Sequence, residues 1–483
     1  MLFNSIDFAI FLPVVFILYW FVFNRKLKLQ NSFVVVASYF FYGWWDWRFL
    51  ALILFSTIVD YAVGRQLRNV ENKVNRRLLL LISILVNLGF LGFFKYYNFF
   101  LDNFVRAFSF FGTDLGVNSL KLILPVGISF YTFQTMSYTI DVYRQKLEPT
   151  NDFIAFAAFV SFFPQLVAGP IERATNLLPQ FNGRRSFEYA KAADGMRQIL
   201  WGLFKKIVIA DNCAEIVNYT FNNPSELGGS SLLLGAVCFS FQIYGDFSGY
   251  SDIAIGTARL FGFSLRRNFA FPYFSRDIAE FWRRWHISLS SWFRDYLYIP
   301  LGGSRGGTWM VIRNTFIIFI VSGFWHGANW TFIVWGIINA LCFLPLLLTK
   351  NNRRNMEIVA KGKLFPAIRD LLSILLTFGI TTMAWIFFRA ASVREAFAYV
   401  SHTFSESLFS IPPRGLGVGL HLAPTVVLMV AFIIVEWFGR ESEYAIEKLK
   451  FARPWRWAIY AFLVFLIGMY MQTKETPFIY FQF

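Results

Sequence analysis

The chain has 483 residues, of which 56% are hydrophobic and 20% aromatic, with a mean hydropathy of +0.49. That composition excludes the ordinary soluble classes, because apolar runs recur to the end of the chain. The formal net charge of +16 would point to nucleic acid in a soluble protein. In a membrane protein it reflects lysine and arginine collected in cytoplasmic loops, and no nucleic-acid partner is expected.

In chain order, apolar segments cluster near 6–23, 32–45, 48–64, 78–101, 118–142, 152–170, 196–221, 231–262, 308–324, 327–348, 368–388, 420–438 and 456–472. They predict an all-α, polytopic integral membrane protein with about 11 to 13 membrane helices, counting re-entrant and interfacial pieces. The first segment has no basic leader and no small-residue cleavage site, so it reads as a retained span. Basic stretches at 25–28, 65–77, 350–369 and 440–456 are expected on the cytoplasmic side. The weakly charged loops 102–117 and 391–419 are expected outside, with both termini. No linker separates a second domain, so residues 1–483 read as one membrane domain with its motif-rich core at about 118–348. Cys213, Cys238 and Cys342 form no CxxC pair and read as small buried hydrophobes.

The 36 residues between Arg313 and Lys350 contain no Lys, Arg, Asp or Glu, yet they hold His326. A histidine in a membrane span is costly and marks a functional site by default. The stretch is too long for one straight crossing of a hydrocarbon core about 30 Å thick. It predicts a tilted helix pair, or a helix broken near Gly323 and Gly327, with His326 at the junction. Gly323 and Gly327, like Gly245 and Gly249, have the GxxxG spacing that permits close helix approach.

Residues 265–305 differ from the rest. Aromatics and arginines interleave around His286, which suggests an amphipathic helix at the cytoplasmic interface. In a continuous helix over 280–296, Trp282, Trp285, Leu289 and Trp292 would share one face, with His286 turned away beside Arg283. Arg283, Arg284 and Arg294 would suit the phosphates of a donor molecule. Lipid anchoring by Trp and Arg is the competing reading of this segment.

Asp60, Asp141, Asp246 and Asp252 lie in otherwise apolar segments and should face the protein interior, as packing pins more readily than as catalysts. Gly302–Gly306 matches GxSxG, but without strand–turn–helix context it reads as a glycine loop. His402 and His421 read as surface or interface residues. No HxxxH or HExxH is present, and no metal site is expected.

A buried neutral histidine with no carboxylate close in sequence suits general-base activation of a hydroxyl for acyl transfer. A transporter or flippase, with His326 as a proton relay, is the competing class. The lack of inverted repeats and of paired carboxylate–lysine motifs weighs against it. A non-catalytic scaffold of a polysaccharide export complex is the third reading.

The segments GFWHGANWTFIVWGIINAL (323–341), LPVGISFYTFQTMSY (124–138), FFPQLVAGPIERA (162–174), YGDFSGYSDIAIG (244–256), EFWRRWHISLSSWFRDYLYIPLGG (280–303) and the tail PFIYFQF carry a resemblance. Together the chain resembles the membrane-bound O-acyltransferase family, in the bacterial branch that contains the alginate O-acetylation membrane subunit. The resemblance implies a ring of helices around a thinned membrane centre. It implies catalysis by His326 with His286, and substrate contacts from Arg283, Arg284, Trp325 and Asn329. It also implies transfer from an intracellular acetyl-CoA or acyl-carrier thioester, used as co-substrate with no bound cofactor, to an exported polysaccharide. A separate extracytoplasmic esterase-like acetyltransferase is the implied partner, and the bacterial cytoplasmic membrane the implied location.

Overall fold

A computed structural model describes residues 1–112, 116, 119–412, 422–471 and 478–479. His421, part of the 391–419 loop and the tail motif apart from Phe478 and Ile479 lie outside the described residues. Among the described residues the chain is helical throughout, with no strand.

Seven helical segments among them are long and apolar enough to cross a membrane. They are Leu27–Asn69, Lys73–Phe110, Gly229–Leu260, Thr308–His326, Trp330–Leu348, Ile368–Arg389 and Leu422–Gly439. The protein is therefore a multi-pass membrane protein. The first two segments are each longer than one crossing needs. A 3₁₀ turn at Trp47–Phe49 divides Leu27–Asp46 from Leu50–Asn69, and a π-helical turn at Gly92–Tyr96 divides Lys73–Leu91 from Tyr97–Phe110.

Other apolar stretches become shorter helices buried among the described residues. Residues 118–142 are the clearest case. Their helix, Ile128–Tyr143, has 16 residues, and Ile128–Val142 are all buried. Its sequence alternates Ser, Thr and Gln with aromatics because protein, rather than lipid, surrounds it. Similarly, 152–170 forms Phe153–Ser161 and the single turn Phe163–Leu166, both buried within the protein.

The chain divides into two compact units. The first comprises Met1–Ala192 and Ala258–Leu265. Its polar pin is Asp60, which is fully buried. The carboxylate accepts from Asn87 Nδ2 at 2.9 Å, from Thr139 Oγ1 at 3.1 Å and from Ser83 Oγ. These donors come from Lys73–Leu91 and Ile128–Tyr143, so one carboxylate ties three helices. That matches the packing role assigned to it from sequence.

The second unit comprises Ala193–Thr257 and Arg266–Phe483. Within it, Gly249 allows the close approach that its spacing suggested: a Cβ there would stand 2.7 Å from the Gly202 carbonyl oxygen. Beside this crossing a π-helical stretch, Phe204–Ala210, turns two buried lysines toward acidic partners. Lys205 Nζ lies 2.5 Å from Asp252, and Lys206 Nζ lies 2.5 Å from Asp246 and 2.9 Å from Asp211. These pairs correct the sequence argument that carboxylate–lysine pairs are lacking. Lys205–Asp252 and Lys206–Asp246 were missed because their members lie in different apolar segments, 47 and 40 residues apart. Asp246 and Asp252 are thus each held by a buried lysine, and Asp252 also accepts from Gln198 Nε2 at 2.8 Å.

Candidate active site

The uncharged stretch folds as two helices, Thr308–His326 and Trp330–Leu348, joined at Gly327–Asn329. His326 is thus the last residue of its helix, at the break anticipated from its length. Two glycines bring the pair together. A Cβ on Gly323 would overlap the Phe332 carbonyl, and one on Gly336 would overlap the Phe319 carbonyl. Gly323→Ala is therefore expected to cost about 1–3 kcal/mol through overpacking. A lower melting temperature of the detergent-solubilised protein is the measurement, and an unchanged one would show that the helices can separate freely.

His326 is 4% exposed and set in an aromatic wall. Its ring centroid lies 4.9 Å from Trp325, 5.2 Å from Phe388 and 5.4 Å from Trp335, the last perpendicular. Trp335 stacks in turn on Trp385 at 5.4 Å. Such a wall fixes the imidazole by edge-to-face contact.

The 280–296 region is not one helix. It forms Ile278–Arg284 and Ile287–Phe293, then a π-helical turn at Arg294–Tyr298. The break falls on His286, whose φ of 43° and ψ of 56° are left-handed. That conformation is strained for a non-glycine residue and persists only where its surroundings hold it. Two backbone bonds do so, Ile287 N–H to Asn268 O and Ala270 N–H to Arg284 O, both 2.9 Å. His286 is therefore not turned away beside Arg283. It is 1% exposed, and its ring lies 6.5 Å from that of His326, centroid to centroid. The segment is also not an interfacial anchor: Phe281, Trp285, Leu289 and Trp292 are buried in protein. Burial lowers the His286 imidazole to about 3, because the cation loses its hydration there.

Both histidines line one cavity of about 270 Å³, together with Trp282, Ser322, Arg294 and Arg353. Of the three arginines expected from sequence to suit donor phosphates, Arg294 lies on this wall and Arg283 and Arg284 do not. Arg283 donates to the Asn352 and Asn355 carbonyls at 2.7 and 2.8 Å. Arg284 pairs with the buried Glu280 at 2.7 Å. Both guanidinium groups brace the chain around the site, and the wall carries Arg353 together with Arg294, which pairs with Asp295 at 2.7 Å. Arg353 lies in the basic stretch 350–369, which was read from sequence only as a cytoplasmic loop.

Trp325 packs against both imidazoles, 6.1 Å from His286 and 4.9 Å from His326, and orients them. Asn329 caps Trp330–Leu348: its side chain accepts from Thr331 N–H at 3.1 Å and donates to the Ala391 carbonyl at 3.0 Å. Its amide serves the backbone, because a helix start leaves donors that a side chain must satisfy. His402 falls in the last turn of Val393–Thr403, away from the cavity wall. Sequence reading missed Asn268, which is fully buried and reaches His286 from an extended segment. Its only signal was a lone Asn in the aromatic run 263–274.

Fold and cavity together define a multi-pass membrane protein whose paired buried histidines suit proton transfer. The family model for membrane-bound O-acyltransferases matches residues 144–388. The chain is 38% identical to the probable alginate O-acetylase of Pseudomonas aeruginosa, over 92% of this chain and 82% of the relative. It is 33% identical to the peptidoglycan O-acetyltransferase of Helicobacter pylori, over all of this chain and 98% of that one. A teichoic acid D-alanyltransferase of Bacillus subtilis is 29% identical over 46% of this chain and 58% of its own length. The chain belongs to the membrane-bound O-acyltransferase family, and its activity is that of an O-acyltransferase.

Proposed function

We propose that the protein is an O-acetyltransferase of the bacterial cytoplasmic membrane that feeds acetylation of an exported polysaccharide. The acyl donor is a phosphate-bearing thioester from the cytoplasm, acetyl-CoA or an acyl carrier. In the reaction an acceptor hydroxyl gives its proton to His326 and attacks the thioester carbonyl. The C–O bond forms, the C–S bond breaks, and the proton passes to the departing thiolate. His286 holds the reacting groups beside His326, and a separate extracytoplasmic esterase-like acetyltransferase completes delivery to the glycan. The relatives named for alginate and peptidoglycan support an extracytoplasmic glycan as the acceptor class.

The observation that carries this reading is the cavity shared by two histidines and two arginines. A histidine pair alone would also suit a proton relay. Arginines on the same wall provide for a phosphorylated donor, which a relay would not need. The test is thioester turnover by purified protein in lipid nanodiscs with acetyl-CoA and with an acyl-carrier thioester. Arg294→Gln and Arg353→Gln are each expected to raise the apparent donor KM about tenfold, as for loss of one charge-assisted hydrogen bond. Turnover at saturation should change less, because such contacts are shared by ground and transition states. Folded wild-type protein that turns over neither thioester would overturn the reading. Unchanged KM in both variants would remove the arginines from donor binding.

A further inference from the structure

We propose that Asn268 is a positioning residue that holds His286 in its Nδ1–H tautomer, so that Nε2 presents a lone pair in the site. The inference rests on the reading of His286 as a site residue. It adds which nitrogen of that residue carries the proton.

Asn268 lies in the extended segment between Gly229–Leu260 and the turn Pro272–Phe274. Its side-chain oxygen sits 3.1 Å from His286 Nδ1. The same oxygen accepts from Ser288 Oγ at 2.9 Å and from the Ser288 backbone N–H at 3.3 Å. A backbone N–H can only donate, so it selects the face of the amide that carries oxygen. On its other side Asn268 Nδ2 donates to Ser251 Oγ at 3.2 Å, which agrees with that orientation.

An amide oxygen carries no hydrogen, so in its contact with His286 the imidazole Nδ1 donates. In a neutral imidazole one nitrogen donates and the other accepts. With Nδ1 protonated, Nε2 is the acceptor. The ring is held in that pose by Phe247, edge-on at 4.6 Å, and by Phe269 at 6.3 Å. The left-handed backbone at His286 belongs to the same device. The Asn268 carbonyl grips Ile287 N–H while its side chain grips Ser288, so one residue sets both the break and the ring. Burial keeps the ring neutral. His286 therefore accepts a hydrogen bond from a reacting hydroxyl or from a protonated partner, and does not donate one to the thioester carbonyl.

The chain contains four histidines, so the ¹⁵N spectrum of histidine-labelled full-length protein in nanodiscs is sparse. His286→Gln assigns the His286 signals. The wild type is expected to show His286 as the Nδ1–H tautomer. Asn268→Ala should give a mixture of tautomers and lower turnover about 10- to 100-fold, by analogy with the loss of a hydrogen-bond partner that orients a metal-ligating histidine. Asn268→Asp keeps the oxygen acceptor and should restore the Nδ1–H signal. Its carboxylate also makes the imidazole more basic, so the acid limb of the pH–rate profile should move to higher pH. An Nε2–H tautomer in the wild type would overturn the proposal without any variant having to fold. So would an unaltered tautomer in folded Asn268→Ala. Wild-type turnover by His286→Gln would instead remove His286 from the reaction, and is thereby distinguishable from failure of the tautomer assignment.

Discussion

His326→Ala protein, purified in its folded form, is expected to lose acyl transfer by about 10²- to 10⁴-fold, the range for removing a general base. The physical case begins with position. His326 ends its helix at the Gly327–Asn329 break and lines the cavity, 4% exposed among Trp325, Trp335 and Phe388. The cavity it would leave is flanked by rigid aromatics, so the fold should survive and donor KM should stay close to wild type. His326→Gln is the stricter variant, since it keeps a polar side chain of similar length but cannot take up a proton at neutral pH. Both are measured as acetyl transfer per folded molecule, with fold checked by size exclusion and thermal melting. Near-normal transfer by either folded variant would show that the proton leaves by another group.

Lys206→Met should have the largest effect on stability. Lys206 is buried with Asp246 and Asp211 at 2.5 and 2.9 Å. Removing the cation leaves two buried carboxylates facing each other without a counter-charge. Breaking a buried pair in this way costs about 3–5 kcal/mol, a large part of the roughly 5–15 kcal/mol that holds a typical protein folded. The variant is expected to be recovered in poor yield and to melt well below the wild type. Adding Asp246→Asn should recover part of the loss, because one of the stranded charges is then removed. The amide oxygen of Asp246→Asn can still accept the Ile479 backbone N–H, held at 2.7 Å by Asp246, but the Asp211 charge stays stranded, so that recovery should be incomplete. A Lys206→Met protein with the wild-type melting temperature would show that the carboxylates take up protons or water at little cost.

The two variants report on different layers of the molecule. Loss of transfer with a normal melting curve belongs to the cavity. Loss of both belongs to the ion-paired interior, and the Arg294 and Arg353 variants should fall in neither class, altering donor affinity alone.

By itself the sequence determined the class of protein and pointed to the segment around His326 as its candidate site. Hydropathy is a sum over neighbours along the chain, so membrane spans and the uncharged stretch around His326 are legible without any partner. The break after His326 was legible for the same reason: 36 uncharged residues exceed one crossing. The aromatic and arginine content of 280–296 marked that segment as special, yet periodicity implied one continuous amphipathic helix. Only the tertiary structure broke it at His286, because the grip that strains this residue comes from Asn268, 18 positions earlier. It likewise took Arg283 and Arg284, engaged by loop carbonyls and by Glu280, off the cavity wall, kept Arg294 there and added Arg353. It also paired Lys205 and Lys206 with Asp252 and Asp246, which lie in a separate segment. Hydrogen bonds and ion pairs between distant segments depend on which side chains meet in space. Local composition states only that a buried polar group must find a partner, and the packing of helices decides which one.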